Sequence, residues 1–204
     1  MEFIFSFVVV RLPETATGYF FEITLGFLAA IVFASFFEYF AHRYIMHHRP
    51  PLLGDIPVFR EQLKRHAVLH HGAFYKQFTH EDDPIGRDIS ITFSLKEMLI
   101  IQACLLPFVI LIAFIAPVIA LCFPLVAISH NLLWNIIHQE MHQPEKGTWT
   151  RWSIYRFLAR HHFLHHQHTE KNFNVVFPLA DFVLAASAKP THVDRTEMDR
   201  LGYF

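Results

Sequence analysis

Residues 98–137 form a run of 40 positions without a single Asp, Glu, Lys or Arg. As one straight helix this run would be roughly 60 Å long, about twice the hydrocarbon thickness of a bilayer. It therefore has to fold back on itself, and Ala116-Pro117 near its middle marks the reversal. The expected structure is a helical hairpin, with Pro107 and Pro124 as kink points. Residues 19–41 are a second apolar stretch, interrupted only by Glu22 and Glu38 near its two ends, and suit one more crossing. Residues 3–10 are apolar but too short to span. No basic residue precedes them and no small-residue cleavage site follows, so they read as an interfacial or re-entrant segment rather than a signal peptide. The expected fold class is all-α: a polytopic membrane protein with about three transmembrane helices, in one domain covering residues 1–204.

Composition supports that reading and narrows the function. Hydrophobic residues make up 53% of the chain and Phe occurs 23 times, which suits a lipid-facing surface better than a small aqueous core. A net charge of −1 leaves no basic surplus for nucleic acid. Cys104 and Cys122 both lie inside apolar runs, which argues against a disulfide framework and against a thiolate metal site.

The basic residues orient the crossings. Arg11 alone precedes the first one, eight lie between Arg43 and Lys96, and eight more lie from Lys146 to Arg200. With three crossings, the two rich segments share one side, which the positive-inside rule assigns to the cytoplasm. Fifteen of the 16 histidines fall on that side or at its boundary; His130, inside the third crossing, is the exception. Strand signals are weak, with residues 175–177 the only short candidate. Helical patterns cover residues 59–71 and 152–166, and residues 50–54 and 80–86 read as loops.

The histidines are clustered: His42 with His47 and His48, His66 with His70 and His71, His138 with His142, and His161, His162, His165 and His166. Helical neighbours three or four apart share a face about 5–6 Å apart. His66 with His70, His138 with His142, and His162 with His165 and His166 can thus converge. His42 and His47 are five apart, which requires the first crossing to end or unwind between them. One ligand set from these clusters is His42, His47, His66, His70, His71, His138, His142, His162, His165 and His166. Ten imidazoles exceed the four that a tetrahedral zinc takes and suit two ions with roughly five nitrogens each. Ligand type alone does not choose among Fe, Zn, Cu and Ni.

In this order and spacing, His42-x4-His47, His66-x3-His70-His71, His138-x3-His142 and His162-x2-His165-His166 resemble the histidine boxes of the fatty acid hydroxylase/sterol desaturase superfamily. The resemblance spans residues 38–181, and the first box also resembles that of carotenoid hydroxylases. It implies a cytoplasmic helical cap over a non-heme di-metal centre that hydroxylates or desaturates fatty acyl chains, sphingolipids, sterols or carotenoids. The implied cofactors are two Fe ions, with Zn able to replace them in purified material, and O₂. The 204 residues leave no stretch for a fused cytochrome or ferredoxin domain, so a separate electron donor of that type is expected. Two features depart from the pattern. His66 and His70 are separated by three residues where many members have two, and residues 172–181 only loosely echo the sterol enzymes. Acyl lipids are thus the first expected substrate, carotenoids the second and sterols the third.

Several neighbours invite roles. Glu38, one turn before His42, is placed to hold that ring's second nitrogen. Trp134 and Phe163 are either site walls or ordinary packing, and packing is the default. His130 lines a substrate channel or bonds a neighbouring helix. His48, His161 and His168 are spare cluster members, His80 lies in an acidic loop, and His192 reads as a surface residue. A metal transporter or sensor would place ionisable ligands along its crossings near the midplane, and here they are mostly absent. A zinc hydrolase needs a general base, and Glu140 in His-Gln-Glu-Met-His is displaced by one position from HExxH.

Overall fold

The computed structural model describes residues 15–51, 54–74, 78–79, 92–144 and 147–204. It is all-helical, with no strand among the described residues. In chain order the helices are α1 (Ala16–Ala41), α2 (Pro57–Leu63), α3 (Leu95–Ala113), α4 (Pro117–His142), α5 (Ser153–Gln167), α6 (Leu179–Val183) and α7 (His192–Arg200). Two π-helical segments interrupt this regularity: His42–Met46 continues α1, and Lys64–His70 continues α2. A short 3₁₀ turn, Thr148–Arg151, precedes α5. The expected segment 3–10 and the loop 80–86 with His80 lie outside the described residues.

Three helices are long and apolar enough to cross a membrane: Ala16–Met46, Leu95–Ala113 and Pro117–His142. The 40-residue uncharged run becomes α3 and α4, broken at Phe114–Ala116. Pro117 takes the first position of α4, where its missing N–H has no intrahelical partner to lose. Pro107 and Pro124 lie inside α3 and α4, and both helices continue through them. α3 begins with a capping box: Ser94 Oγ accepts from the Glu97 amide, and Glu97 accepts from the Ser94 amide.

The chain divides into two compact units, with boundaries inside α1, just before α3 and inside α4. The first comprises the described residues up to Ala34 together with Phe93–Leu132. Its core joins Ala30, Leu105, Cys122 and Phe123, flanked by Phe33, Val109 and Ile119. Phe33 stacks on Phe108 at 4.9 Å and meets Phe123 edge-on at 5.6 Å. Gly26 lets α1 approach α4 closely. A Cβ there would lie 2.7 Å from Cys122 Sγ and 3.1 Å from the Ile119 Cα.

The second unit comprises Ser35–Thr92 and Leu133–Phe204. One apolar cluster packs Phe78, Met141, Tyr155, Leu158, Phe163 and Met198, and another packs Tyr39, Phe173, Ala180 and Ala186. The weak strand candidate at residues 175–177 forms no strand, in keeping with the all-α expectation. Those residues belong to an irregular segment whose polar groups bond to side chains instead: the Val175 amide donates to Glu38, and the Phe177 carbonyl accepts from Ser35 Oγ. These two bonds engage groups that a strand would otherwise offer to a neighbour.

Candidate metal centre

All ten histidines of the expected set lie in the second unit, on four helical segments. His42 and His47 stand at the π-helical end of α1, and His66, His70 and His71 on and just after the π segment that follows α2. His138 and His142 occupy the last turns of α4, while His162, His165 and His166 lie on α5. A π-turn pairs each N–H with the carbonyl five residues back and so aligns residues five apart. The His47 amide donates to the His42 carbonyl at 3.1 Å in this way. The same device serves His66 and His71, also five apart. Sequence spacing alone pairs His66 with His70 on an α-helical face. Their rings do adjoin, 5.0 Å between centroids, yet the π-helix groups His66 with His71 and turns His70 elsewhere.

Two principal groups result. The ligating atoms of His42, His47, His66, His71 and His165 all lie within 4.8 Å of one another, as do those of His70, His138, His142 and His162. His166 forms a third, overlapping group with His70 and His71. Consecutive residues on a helix diverge by roughly a quarter of a turn, so His70 and His71 feed different groups. His166, stacked on His71 at 4.2 Å, reaches both.

The rings are aimed by backbone carbonyls. His142 Nδ1 donates to the Phe78 carbonyl at 2.7 Å, His165 Nδ1 donates to that of Lys171 at 2.7 Å, and His42 Nδ1 donates to that of Phe173. Each pin places the proton on Nδ1 and leaves Nε2 as a bare lone pair facing the cluster. The second ring nitrogen of His42 is thus held by Phe173, and not by Glu38 as the sequence suggested. Glu38 instead accepts from the Val175 amide at 2.8 Å and from Asn174 Nδ2 at 3.1 Å, because the segment after α5 fills the space beside it.

Burial keeps these rings neutral. It pushes His47 down to about 3 and His165 down to about 4, and it holds His66, His70, His71, His162 and His166 well below the ordinary imidazole value. Repulsion from neighbouring histidines adds to the effect at each. Neutral imidazoles are the form that binds metal.

Two observations fit metal ions to this donor set. Nitrogens bound side by side to one ion at about 2.1 Å sit about 3.0 Å apart. Facing Nε2 atoms lie at 2.8 Å for His42–His66, 3.0 Å for His47–His165, 3.0 Å for His142–His162 and 3.3 Å for His71–His66. Secondly, both ring nitrogens of His70 and of His166, and Nδ1 of His162, are buried without a hydrogen-bond partner among the described residues. Each such orphan costs about 1–3 kcal/mol. A hydrogen-bonded network of neutral histidines satisfies some of these pairs. It does not satisfy His66, whose single Nε2 faces two rings, or the orphaned rings. A cation would take up the His66 lone pair and one ring nitrogen each of His70 and His166.

Comparison of the chain with protein-family models, curated proteins and solved structures gave no match. The resemblance to the superfamily therefore rests on the histidine pattern, beside which the structure shows a buried histidine-rich cluster and three helices long and apolar enough to cross a membrane.

The remaining expected residues divide clearly. Trp134 walls the cluster, its ring 4.1 Å from that of His138. Phe163 packs in the apolar core instead, while Phe74, not singled out by sequence, lies 4.5 Å from the His142 ring. His130 sits in α4 outside the histidine groups. His48 is exposed beside Glu170, and His168 lies 3.6 Å from Asp194. His161 points away from the groups and bonds Asp181 at 2.8 Å. No carboxylate joins the histidine groups among the described residues. Glu140 lines a separate cavity with Thr79, Tyr155 and Arg200, so it is not placed as a base for water on these histidines. Sequence reasoning missed the three carbonyls and Asp181. Only Asp181 carried a signal, as a lone acid within the apolar stretch 177–184.

Proposed function

We propose that this chain is a membrane-bound, O₂-dependent oxygenase that hydroxylates or desaturates an unactivated C–H bond of a lipid-like substrate, with a fatty acyl lipid first in order. The observation that carries this reading is the cluster of ten histidines, nine of them buried and His47 half-buried, in interlocking groups free of carboxylate among the described residues. The ligand assignment is the full set named from sequence. His42, His47, His66, His71 and His165 serve one ion, and His70, His138, His142 and His162 the other, with His166 reaching between them. Two ions in such a nitrogen set, iron by the resemblance, would supply the reduction of O₂ and the abstraction of hydrogen from carbon.

The chain's own residues contribute orientation and dryness. Phe78, Lys171 and Phe173 fix three imidazoles by their carbonyls, so little reorganisation is needed when metal is held. Trp134 and Phe74 cover the rings and restrict water. Ala16–Met46, Leu95–Ala113 and Pro117–His142 are long and apolar enough to anchor the protein in the bilayer that holds such a substrate. The basic segments favour the cytoplasmic face for the centre, and the resemblance implies a separate ferredoxin- or cytochrome-type protein for the electrons.

Protein purified without added metal should contain two equivalents per chain. Cells expressing it should show a lipid gaining one oxygen or losing two hydrogens, O₂-dependently, and His166→Ala should abolish that change. A single metal equivalent overturns the ligand assignment. Oxygen appearing in a water-soluble compound with no lipid altered overturns the substrate class.

A further inference from the structure

Asp181 is fully buried on the short helix α6, outside both histidine groups. Its carboxylate gathers three donors. Oδ1 accepts from the Phe173 amide at 3.0 Å, and Oδ2 accepts from the Asn174 amide at 2.7 Å and from His161 Nε2 at 2.8 Å. The Asp181 amide in turn donates to Asn174 Oδ1 at 3.2 Å.

The Asn174 N–H and the Phe173 C=O belong to one peptide unit. In a planar trans peptide they point in opposite directions. Asp181 therefore grips the back of the same plane whose front accepts the His42 Nδ1 proton. A carboxylate on the N–H also polarises the unit and makes its carbonyl a stronger acceptor, which raises the donor strength of His42 Nε2.

A parallel arrangement stands behind His165. The Lys171 carbonyl that accepts from His165 Nδ1 shares its peptide with the Asn172 amide, which donates to the Ala186 carbonyl at 2.9 Å. The Ala186 amide donates to the Asp181 carbonyl at 2.8 Å. Asn172 and Ala185 both hold positive φ, at 57° and 52°, so this turn keeps a rare backbone conformation that the surrounding bonds dictate. His161 completes the support: its Nδ1 accepts from Asn172 Nδ2 at 2.9 Å while its Nε2 donates to Asp181.

We infer that Asp181 is a positioning residue for the five-histidine group, acting through the Phe173–Asn174 peptide on His42, and that His161 holds Asp181 in place and is not a ligand. This inference rests on the metal reading above, and cobalt binding by the full-length protein in detergent separates the two. Wild type should bind two equivalents with two measurable affinities and a cobalt absorption envelope from both groups. Asp181→Asn keeps the shape but loses the charge and one acceptor. It should weaken one affinity on the order of 10–100-fold and shift its absorption, leaving unchanged the affinity that His138→Ala removes. His161→Gln, which keeps a donor toward Asp181, should retain both affinities, and His161→Leu should weaken the same one as Asp181→Asn. Wild-type affinities and spectrum in folded Asp181→Asn overturn the inference. If that variant does not fold, wild-type binding by His161→Leu overturns it equally, as does loss of an equivalent in His161→Gln. Wild type taking up no cobalt overturns the metal reading itself.

Discussion

The two units solve opposite problems of burial. In the first, α3 is apolar along its length yet buries almost nothing: Leu99 is 60% exposed, Leu106 54% and Leu111 63%. In the second, α5 carries four histidines and two arginines, and every residue from His161 to His166 is buried. The usual rule of apolar inside and polar outside is thus inverted twice, and each inversion needs its own compensation. Lipid is a suitable solvent for the bare α3 face, and metal is a suitable partner for the buried imidazole lone pairs. A surface and a core that both look wrong for a water-soluble domain are each correct for a different environment.

Removing metal should expose this difference most strongly. Stripping both ions with a chelator should destabilise the histidine unit by several kcal/mol or more, since structural metal binding contributes on the order of 10 kcal/mol at neutral pH. Thermal melts in detergent, followed by near-ultraviolet dichroism, should show early loss of tertiary signal while the helicity of the apolar unit survives. Unfolding of both units together at the wild-type temperature would end the comparison.

Acid should act next, and on the same unit. Without metal, burial pushes His47 down to about 3 and His165 down to about 4, against about 6.5 in an unfolded chain. Below about 6.5 the unfolded state takes up protons that the folded state refuses, so stability is complete above that pH and falls as pH drops toward the folded values. Each such histidine contributes about 1.4 kcal/mol per pH unit, giving roughly 4 kcal/mol for these two between about pH 6.5 and 5. Denaturant midpoints of the apoprotein across that range check it. A flat profile would contradict neutral burial of the rings.

The smallest of the three effects concerns the apolar face. Leu106→Arg, near the middle of α3, should make membrane insertion less favourable by roughly 3 kcal/mol, whereas an arginine at exposed position 192 should be neutral. A glycosylation-based insertion assay measures both. Equal tolerance at the two positions would mean that the exposed leucines face water.

Much of this architecture was legible along the chain. Hydropathy adds up locally, so 40 uncharged residues with a proline near the middle give α3 and α4 without knowledge of anything else. Histidine spacing is also local, and it named all ten rings that the fold brings together. The π-helical segments were half visible: the five-residue gap from His42 to His47 signalled an irregularity, while His66–His71 was masked by the more familiar four-residue pair.

The tertiary structure alone decided how the ten rings are shared between groups and what aims them. His42 and His142 are pinned by carbonyls 131 and 64 residues away, and those partners are phenylalanines in sequence. Every residue carries a backbone carbonyl, so a carbonyl that orients a ring leaves no mark on side-chain identity. Glu38 shows the converse. Its position one turn from His42 suggested a direct bond, yet the chain returning after α5 occupied it first. Spacing along a helix is set by the helix itself, whereas the partner across the gap is chosen by whichever distant segment packs there.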